Sequence, residues 1–536
     1  MKNKKTIRRT IALLLTTVLL FGLAACAANP DKKTNKEPES MIDPVNDNYR
    51  TFYQIFVGSF SDASNDGIGD LRGVINRFDY LNDGNINSGK SLGVQGIWLS
   101  PIFSSPSYHK YDTTDYYQID WRFGTEEDLK ELIQLCKQRN VKLILDLVLN
   151  HTSNQHGWFL QFKQARIDGD TENPYYDYYS CVKTADKVGG VTYQKIAGVD
   201  CWYECNFSGN MPELNFDNPE VKQAALDIAK YYLDLGIDGF RFDAVKYIYY
   251  GDTARSVDFW EWYMEQLRQY KPDIYCVGEC WSGENEILEY YGAMNCFNFA
   301  MAQAEGVIAT AAKGKSISTY LNYVSSYQQK VLEQNPDGMV MPFLSNHDMD
   351  RIAGAFILEN NMRMAANLYL LCPGSPMIYY GEEIGLRGSR GSESTDANRR
   401  LAMLWGDDDL IRDPIGSTYP AKNQIQTTVA DQLADENSLY NYYCKLIAIR
   451  HKYPAIARGQ YTVLSGGSKN FGGFQIEYDG ETLGLFHNNS TEEITYDLSQ
   501  CEGVSFSQLC DFIGVGSASL DGSILTVGPQ TSVIVS

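Results

Sequence analysis

From Tyr49 onward, short apolar runs alternate with stretches of helical periodicity, and this alternation restricts what the chain can fold into. Apolar or β-branched runs occur at Phe52–Val57, Val94–Leu99, Val141–Val148, Ile237–Asp243, Ile274–Glu279, Cys296–Phe299, Val340–Leu344 and Met377–Tyr380. Segments such as Thr125–Arg139, Pro219–Leu235 and Ser256–Tyr270 lie between them and read as helices. Asp217 and Asn218 ahead of Pro219 supply helix-start chemistry. Eight strands alternating with helices predict an α/β fold, a (β/α)8 TIM barrel.

Two intervals break the rhythm. About 60 residues, from His151 to Met211, separate the third run from the next helix and are rich in Tyr, Gly, Asn and Cys. That is too long for a barrel loop, so residues 151–212 are expected to form a small inserted domain. The barrel is then contributed in two parts, residues 49–150 and 213–454. After Pro454, short alternating runs such as Phe474–Tyr478, Thr482–Phe486 and Ser532–Ser536 are broken by Gly, Asn and Asp. Residues 455–536 are therefore expected to form a C-terminal antiparallel β-domain.

Residues 1–25 read as a targeting segment. Lys2, Lys4, Lys5, Arg8 and Arg9 precede an apolar stretch, Ile11 to Leu23, that is short for a membrane span. The ending Leu23-Ala24-Ala25-Cys26 resembles the bacterial lipoprotein box. It implies cleavage before Cys26, a lipid on Cys26, and a protein held on the extracellular face of the membrane. The other reading is an ordinary secreted protein cut near Ala25. Residues 26–48, polar and nearly free of apolar side chains, read as a flexible tether.

A formal charge of −21 disfavours nucleic acid, whose phosphates it would repel. It says nothing against a neutral substrate. The 37 tyrosines suit a surface that stacks on sugar rings, and equally a Tyr-rich core. Of 12 cysteines, Cys201 with Cys205 or Cys501 with Cys510 could pair, and most of the others read as buried thiols. No HExxH is present.

Four segments end in, or carry, carboxylates where the mouth of a barrel would need them: DLVLNH (Asp146 to His151), GFRFD (Gly239 to Asp243), VGE (Val277 to Glu279) and SNHD (Ser345 to Asp348). Carboxylates delivered from several strand ends into one site are the equipment for cleaving a glycosidic bond. Arg241 shares a strand face with Asp243 and can supply the charge that keeps it ionised.

With these segments on strands three, four, five and seven, the chain resembles the α-amylase family, glycoside hydrolase family 13. Further matches are SYHKYDTTDYY (Ser107 to Tyr117), MPELN (Met211 to Asn215) and IYYGEEIG (Ile378 to Gly385). The resemblance implies that Asp243 is the nucleophile, Glu279 the general acid/base, and Asp348 the third carboxylate that favours the distorted ring. It places His151, His347 and Tyr111 on the sugar at the cleaved bond, and gives Asp146 a supporting role. Asn150 matches a position that binds calcium in many members.

A second calcium candidate rests on spacing. Asp62, Ser64, Asp66, the carbonyl of Ile68, and Asp70 offer oxygens at alternate positions around Gly67. Gly73 stands where an EF-hand would have Glu. The run resembles the DxNxDGIGD loop of oligo-1,6-glucosidase-like members, with Ser64 in place of Asn.

Ala244 follows the expected nucleophile where α-1,6-cutting members tend to carry Val, so α-1,4 bonds are favoured. Lys246 would meet the reducing-side sugars, although Tyr247 replaces the usual His. The resulting expectation is a retaining, monomeric enzyme acting inside starch-like α-1,4-glucans and maltooligosaccharides. The alternatives are an exo-acting α-glucosidase or oligo-1,6-glucosidase, a 4-α-glucanotransferase, or a non-catalytic glucan-binding lipoprotein.

Overall fold

The computed structural model describes residues 47–85, 88–356, 358–392 and 394–536. The targeting segment, Cys26 and nearly all of the tether lie outside the described residues.

Seven parallel strands form the central sheet: β1 (Phe52–Ile55), β2 (Gly96–Leu99), β3 (Lys142–Leu147), β4 (Gly239–Phe242), β5 (Tyr275–Gly278), β6 (Asn295–Cys296) and β7 (Met377–Tyr379). Their spatial order is β6-β5-β4-β3-β2-β1-β7, so chain neighbours pair along the sheet and β7 returns beside β1. The run expected as the seventh strand, Val340–Leu344, does not form one. It closes the ring through two isolated parallel bridges, Met341 with Phe297 and Phe343 with Met377. Pro342 stands between them and has no N–H to give a ladder; its carbonyl still accepts from the Met377 N–H at 3.0 Å. The sixth run likewise shrinks to two residues. The result is the expected (β/α)8 barrel with a weakly laced seam.

Local chemistry places the strands and helices. A Cβ on Gly239 would lie 1.8 Å from the Tyr275 carbonyl oxygen, so only glycine lets β4 approach β5 here. Thr125 caps the helix Glu126–Gln138 in a reciprocal capping box with Asp128. Asn218 caps Pro219–Leu235, which stops at Gly236 in the left-handed conformation. The next helix begins at Thr253, three residues before the expected Ser256, because the Asp252 carboxylate accepts from Arg255 N–H and starts it early.

The inserted domain leaves and rejoins the barrel at one stem, where His151 and Glu213 form an antiparallel bridge. It carries a helix (Gly157–Asp168) and a three-stranded sheet, with Trp202–Glu204 between Cys181–Val182 and Tyr193–Lys195. Cys201 pairs with Cys181, not with Cys205. The ladder sets Cys181 opposite Tyr203, which brings Cys201 alongside, while Cys205 lies past the strand as a buried thiol. Cys501 and Cys510 do not pair either. Cys501 packs into a small apolar core, and the Cys510 thiol donates to Ser536 Oγ at 3.2 Å.

The C-terminal part begins at Gln460. It forms a five-stranded antiparallel sheet and a three-stranded one, packed over Phe471, Phe486, Leu525 and Val533. Among the described residues, no helix is long and apolar enough to cross a membrane.

Candidate active site

A cleft of about 770 Å³ opens at the C-terminal ends of the barrel strands. Asp243, one residue past β4, Glu279, one past β5, and Asp348, on the loop after the seventh run, all line it. Tyr111, His151 and Lys246 line it as well. Arg241, expected as the partner of Asp243 and as a substrate-side residue, and His347, an expected sugar contact, are both fully buried beneath it.

Arg241 is the hub. Its Nη1 donates to Asp146 Oδ1 at 2.8 Å and to Asp243 Oδ1 at 2.6 Å, and its Nη2 lies 3.0 Å from Glu279 Oε2. The guanidinium also lies over the Trp98 ring, 5.1 Å from its centre. Three carboxyl groups thus surround one buried cation. If all three were ionised, two negative charges would remain uncompensated in a dry site, and protonation relieves this. Burial pushes Glu279 up to about 8, and Asp243 and Asp348 add to the effect while Arg241 opposes it. Burial likewise pushes Asp146 up to about 7 against the pull of Arg241. Asp146 is engaged on every side, accepting from Trp98 Nε1 at 3.2 Å and Tyr111 Oη at 2.9 Å. It braces the floor of the cleft.

Asp348 is tuned the other way. Burial alone would raise it, but the His347 ring and Arg400 hold it well below the usual carboxylate range. His347 Nε2 lies 2.8 Å from Asp348 Oδ2 and 2.6 Å from Tyr111 Oη, while Nδ1 faces Gln54 Nε2 at 2.8 Å. With the Gln54 amide donating to Nδ1, the ring proton sits on Nε2 and is offered to Asp348. Burial keeps His347 and His151 below the ordinary histidine range, so both work as neutral rings. Tyr111 and His347 lie parallel, 5.1 Å between centres.

Further contacts shape the cleft around these residues. Arg400 reaches Asp348 Oδ1 at 2.8 Å and Tyr108 Oη at 3.0 Å. Phe207 packs against His151 and Tyr247, and Tyr247 stacks on Tyr250 at 4.9 Å. Lys246 Nζ donates to the Trp281 carbonyl at 2.7 Å, which ties the loop after β4 to the loop after β5.

In the Asp62–Asp70 loop, Asp62 and Asp70 are buried and Asp66 is exposed. Asp62 accepts from the N–H groups of Asn65 and Gly67, both at 2.7 Å. Asp70 accepts from Ala63, Ser64 and Gly73, the last as a helix cap. Asp66 accepts from Ile68 N–H at 2.8 Å. The loop is thus wrapped around its own carboxylates. Burial raises Asp70, and Asp62 adds to the rise. Asn150 is buried next to His151 and Glu213, and burial together with Glu204 pushes Glu213 up to about 8. Among the described residues, no three His, Cys, Asp or Glu side chains converge on a ready-made ion position.

A barrel whose strand ends bring three carboxyl groups into one cleft, with Glu279 pushed up and Asp348 held down, defines a glycoside hydrolase type of site. Residues 54–459 match the family model described as Alpha amylase, catalytic domain, and the chain belongs to that family. It is 34% identical over 490 residues to Alpha-amylase 3 of Dictyoglomus thermophilum, covering 90% of this chain and 92% of that protein. Among solved structures it resembles Eubacterium rectale Amy13B, with a TM-score of 0.84 and 35% identity over 91% of this chain and 95% of the other. It also resembles an alpha-amylase from H. orenii, with a TM-score of 0.80 and 32% identity over 91% and 99%.

Proposed function

We propose that the cleft hydrolyses α-1,4-glucosidic bonds inside starch-like glucans and maltooligosaccharides, with retention of configuration. The observation that carries this is the single guanidinium of Arg241 touching both Asp243 and Glu279. One planar group bridging the two keeps them close, as a retaining pair at roughly 5 Å requires. Asp243 attacks the anomeric carbon while Glu279, protonated near neutral pH, gives its proton to the departing glycosidic oxygen. The glycosyl ester on Asp243 is then cleaved by a water that Glu279, now a carboxylate, deprotonates. Asp348, kept ionised by Arg400 and His347, holds sugar hydroxyls and favours the distorted ring, with Tyr111 and His151 lining the same sugar. Product analysis on starch tests the reading. Loss of iodine colour with a spread of maltooligosaccharides of retained anomeric form supports it, and glucose released alone from chain ends would replace it with an exo-acting enzyme.

Calcium in the Asp62–Asp70 loop is part of the proposal. Side-chain oxygens of Asp62, Ser64, Asp66 and Asp70 with the Ile68 carbonyl make a hard-oxygen donor set. The two buried carboxylates answered by amides leave negative charge that an ion would balance. Bound there, it would brace the loop after β1. Asn150, beside Glu213, is the second candidate position. We also place the protein, as a monomer, on the extracellular face of the bacterial membrane through lipid on Cys26. Loss of membrane association on Cys26→Ala tests the anchor.

A further inference from the structure

Strand β1 reads Phe-Tyr-Gln-Ile, and the amide of Gln54 lies inside the barrel with the residue fully buried. Strand register sets Gln54 level with Trp98 of β2 and Tyr379 of β7. A buried amide needs a partner. Gln54 Nε2 finds one in His347 Nδ1 at 2.8 Å.

That contact fixes the protons of the ring. An amide nitrogen can only donate, so Nδ1 accepts and the ring N–H sits on Nε2. In the reverse arrangement, the amide oxygen would face an N–H on Nδ1. The bare Nε2 would then lie 2.8 Å from Asp348 Oδ2, acceptor against acceptor, unless the ring took a second proton. Beyond Nε2, Tyr111 Oη lies at 2.6 Å and donates its own proton to Asp146 Oδ2 at 2.9 Å. The hydrogen bonds therefore run one way, from Gln54 through His347 to Asp348 and Tyr111, and from Tyr111 to Asp146.

The surroundings pull the charge of the ring in both directions. Burial disfavours an imidazolium most, Asp348 favours one, and Arg400 and Arg241 disfavour it. Aromatic rings close the remaining faces: Tyr111 at 5.1 Å, Trp98 at 5.9 Å and Phe56 at 6.5 Å between centres. A free Nδ1 would let Asp348 draw a second proton onto the ring. A hydrogen bond given to the uncharged form of a base holds it uncharged, and Gln54 gives that bond.

We propose that Gln54 keeps His347 an uncharged donor, so that the ring holds Asp348 without cancelling its negative charge. Gln54 touches no substrate and acts through His347, as a positioning residue. The proposal rests on the α-glucan hydrolase reading of the cleft, in which Asp348 works as a carboxylate on the distorted sugar ring. It adds what keeps the charge of that carboxylate available.

Nitrogen-15 labelling of the six histidines in the full-length protein reads the ring directly, with His347→Asn to assign its signals. At pH 7 the wild-type ring should be neutral, with its proton on Nε2. In Gln54→Glu a carboxylate faces Nδ1, and both ring nitrogens should carry protons. The neutral ring is the competent form and is lost as pH falls through its pKa, so raising that pKa moves the acid limb of the pH–rate profile upward. On maltoheptaose, Gln54→Glu should shift that limb by about one pH unit or more and lower turnover at pH 6 roughly tenfold to hundredfold. Gln54→Met, which has no donor, should shift it the same way by less. A neutral ring in Gln54→Glu overturns the proposal, and so does a loss of turnover equal at every pH, which marks a structural effect. A wild-type ring that is charged at pH 7, or carries its proton on Nδ1, overturns it even if neither variant folds. Wild-type protein inactive on maltoheptaose would remove the hydrolase reading, whereas an active wild type with unmoved limbs in the variants removes only the proposal.

Discussion

The backbone N–H of Ala244 donates to Oε2 of Glu279 at 3.1 Å. The residue after the expected nucleophile thus grips the expected acid. Ala244 itself holds φ at 50°, in the left-handed region, where the chain turns out of β4. Arg241 Nη2 lies 3.0 Å from the same oxygen. With Oε2 engaged twice, the proton of Glu279 belongs on Oε1, the oxygen left for the substrate.

Activity should therefore fall on the alkaline side as Glu279 loses that proton. Its carboxyl is pushed up to about 8, so the competent acid is present below that pH and is lost as pH rises through it. In Glu279→Gln, turnover should drop by roughly 10²–10⁴-fold with substrate binding largely kept. The pH–rate profile of wild type and the kcat and KM of the variant check both points. Near wild-type turnover in Glu279→Gln would remove it from the acid role.

Ala244→Val should be destabilising. A β-branched side chain in the left-handed region is strained, by about 1–2 kcal/mol or more. The strain should also loosen the N–H bond to Glu279, which favours the ionised form, so the alkaline limb should move upward. A thermal melt and a pH–rate profile read the two effects, and Ala244→Gly should spare the melting temperature by comparison.

Arg241→Leu should cost about 3–5 kcal/mol, because it leaves Asp146, Asp243 and Glu279 buried around a missing cation. Urea unfolding would show it as a lower midpoint at similar slope. A variant as stable as wild type would mean that protonation alone can settle the three carboxyl groups.

If calcium occupies the Asp62–Asp70 loop, a chelator should lower the melting temperature, and Asp66→Ala should abolish that sensitivity. Asp66 is suited to the test because it is exposed, whereas Asp62 and Asp70 also hold the loop and cap the following helix. An unchanged melting temperature in chelator would count against the loop and Asn150 together.

Much of the barrel was legible because its strands are buried on both faces and read as continuous apolar runs. The helix Pro219–Leu235 was bounded by its own cap, proline and glycine. The seventh run misled because Val340–Leu344 is apolar like the others, and the effect of Pro342 appears only in a ladder. Asp243, Glu279 and Asp348 stood out because each follows such a run. Trp281 and Phe207 did not, since they sit on loops whose path no periodicity encodes. The partner of Cys201 was hidden for the same reason: register, not spacing, brings Cys181 beside it.

The stem at which His151 meets Glu213 has a consequence for how such a protein can diversify. Some sixty residues depart and return at one stem, laced by the antiparallel bridges His151–Glu213 and Tyr179–Leu214, so the excursion behaves as a cassette set on the barrel. Exchange of such a cassette would leave the Arg241 hub and its carboxyl groups untouched while replacing Phe207 and Met211 in the cleft wall. Inheritance of the chemistry and drift of the preference are thereby written on different stretches of the same chain.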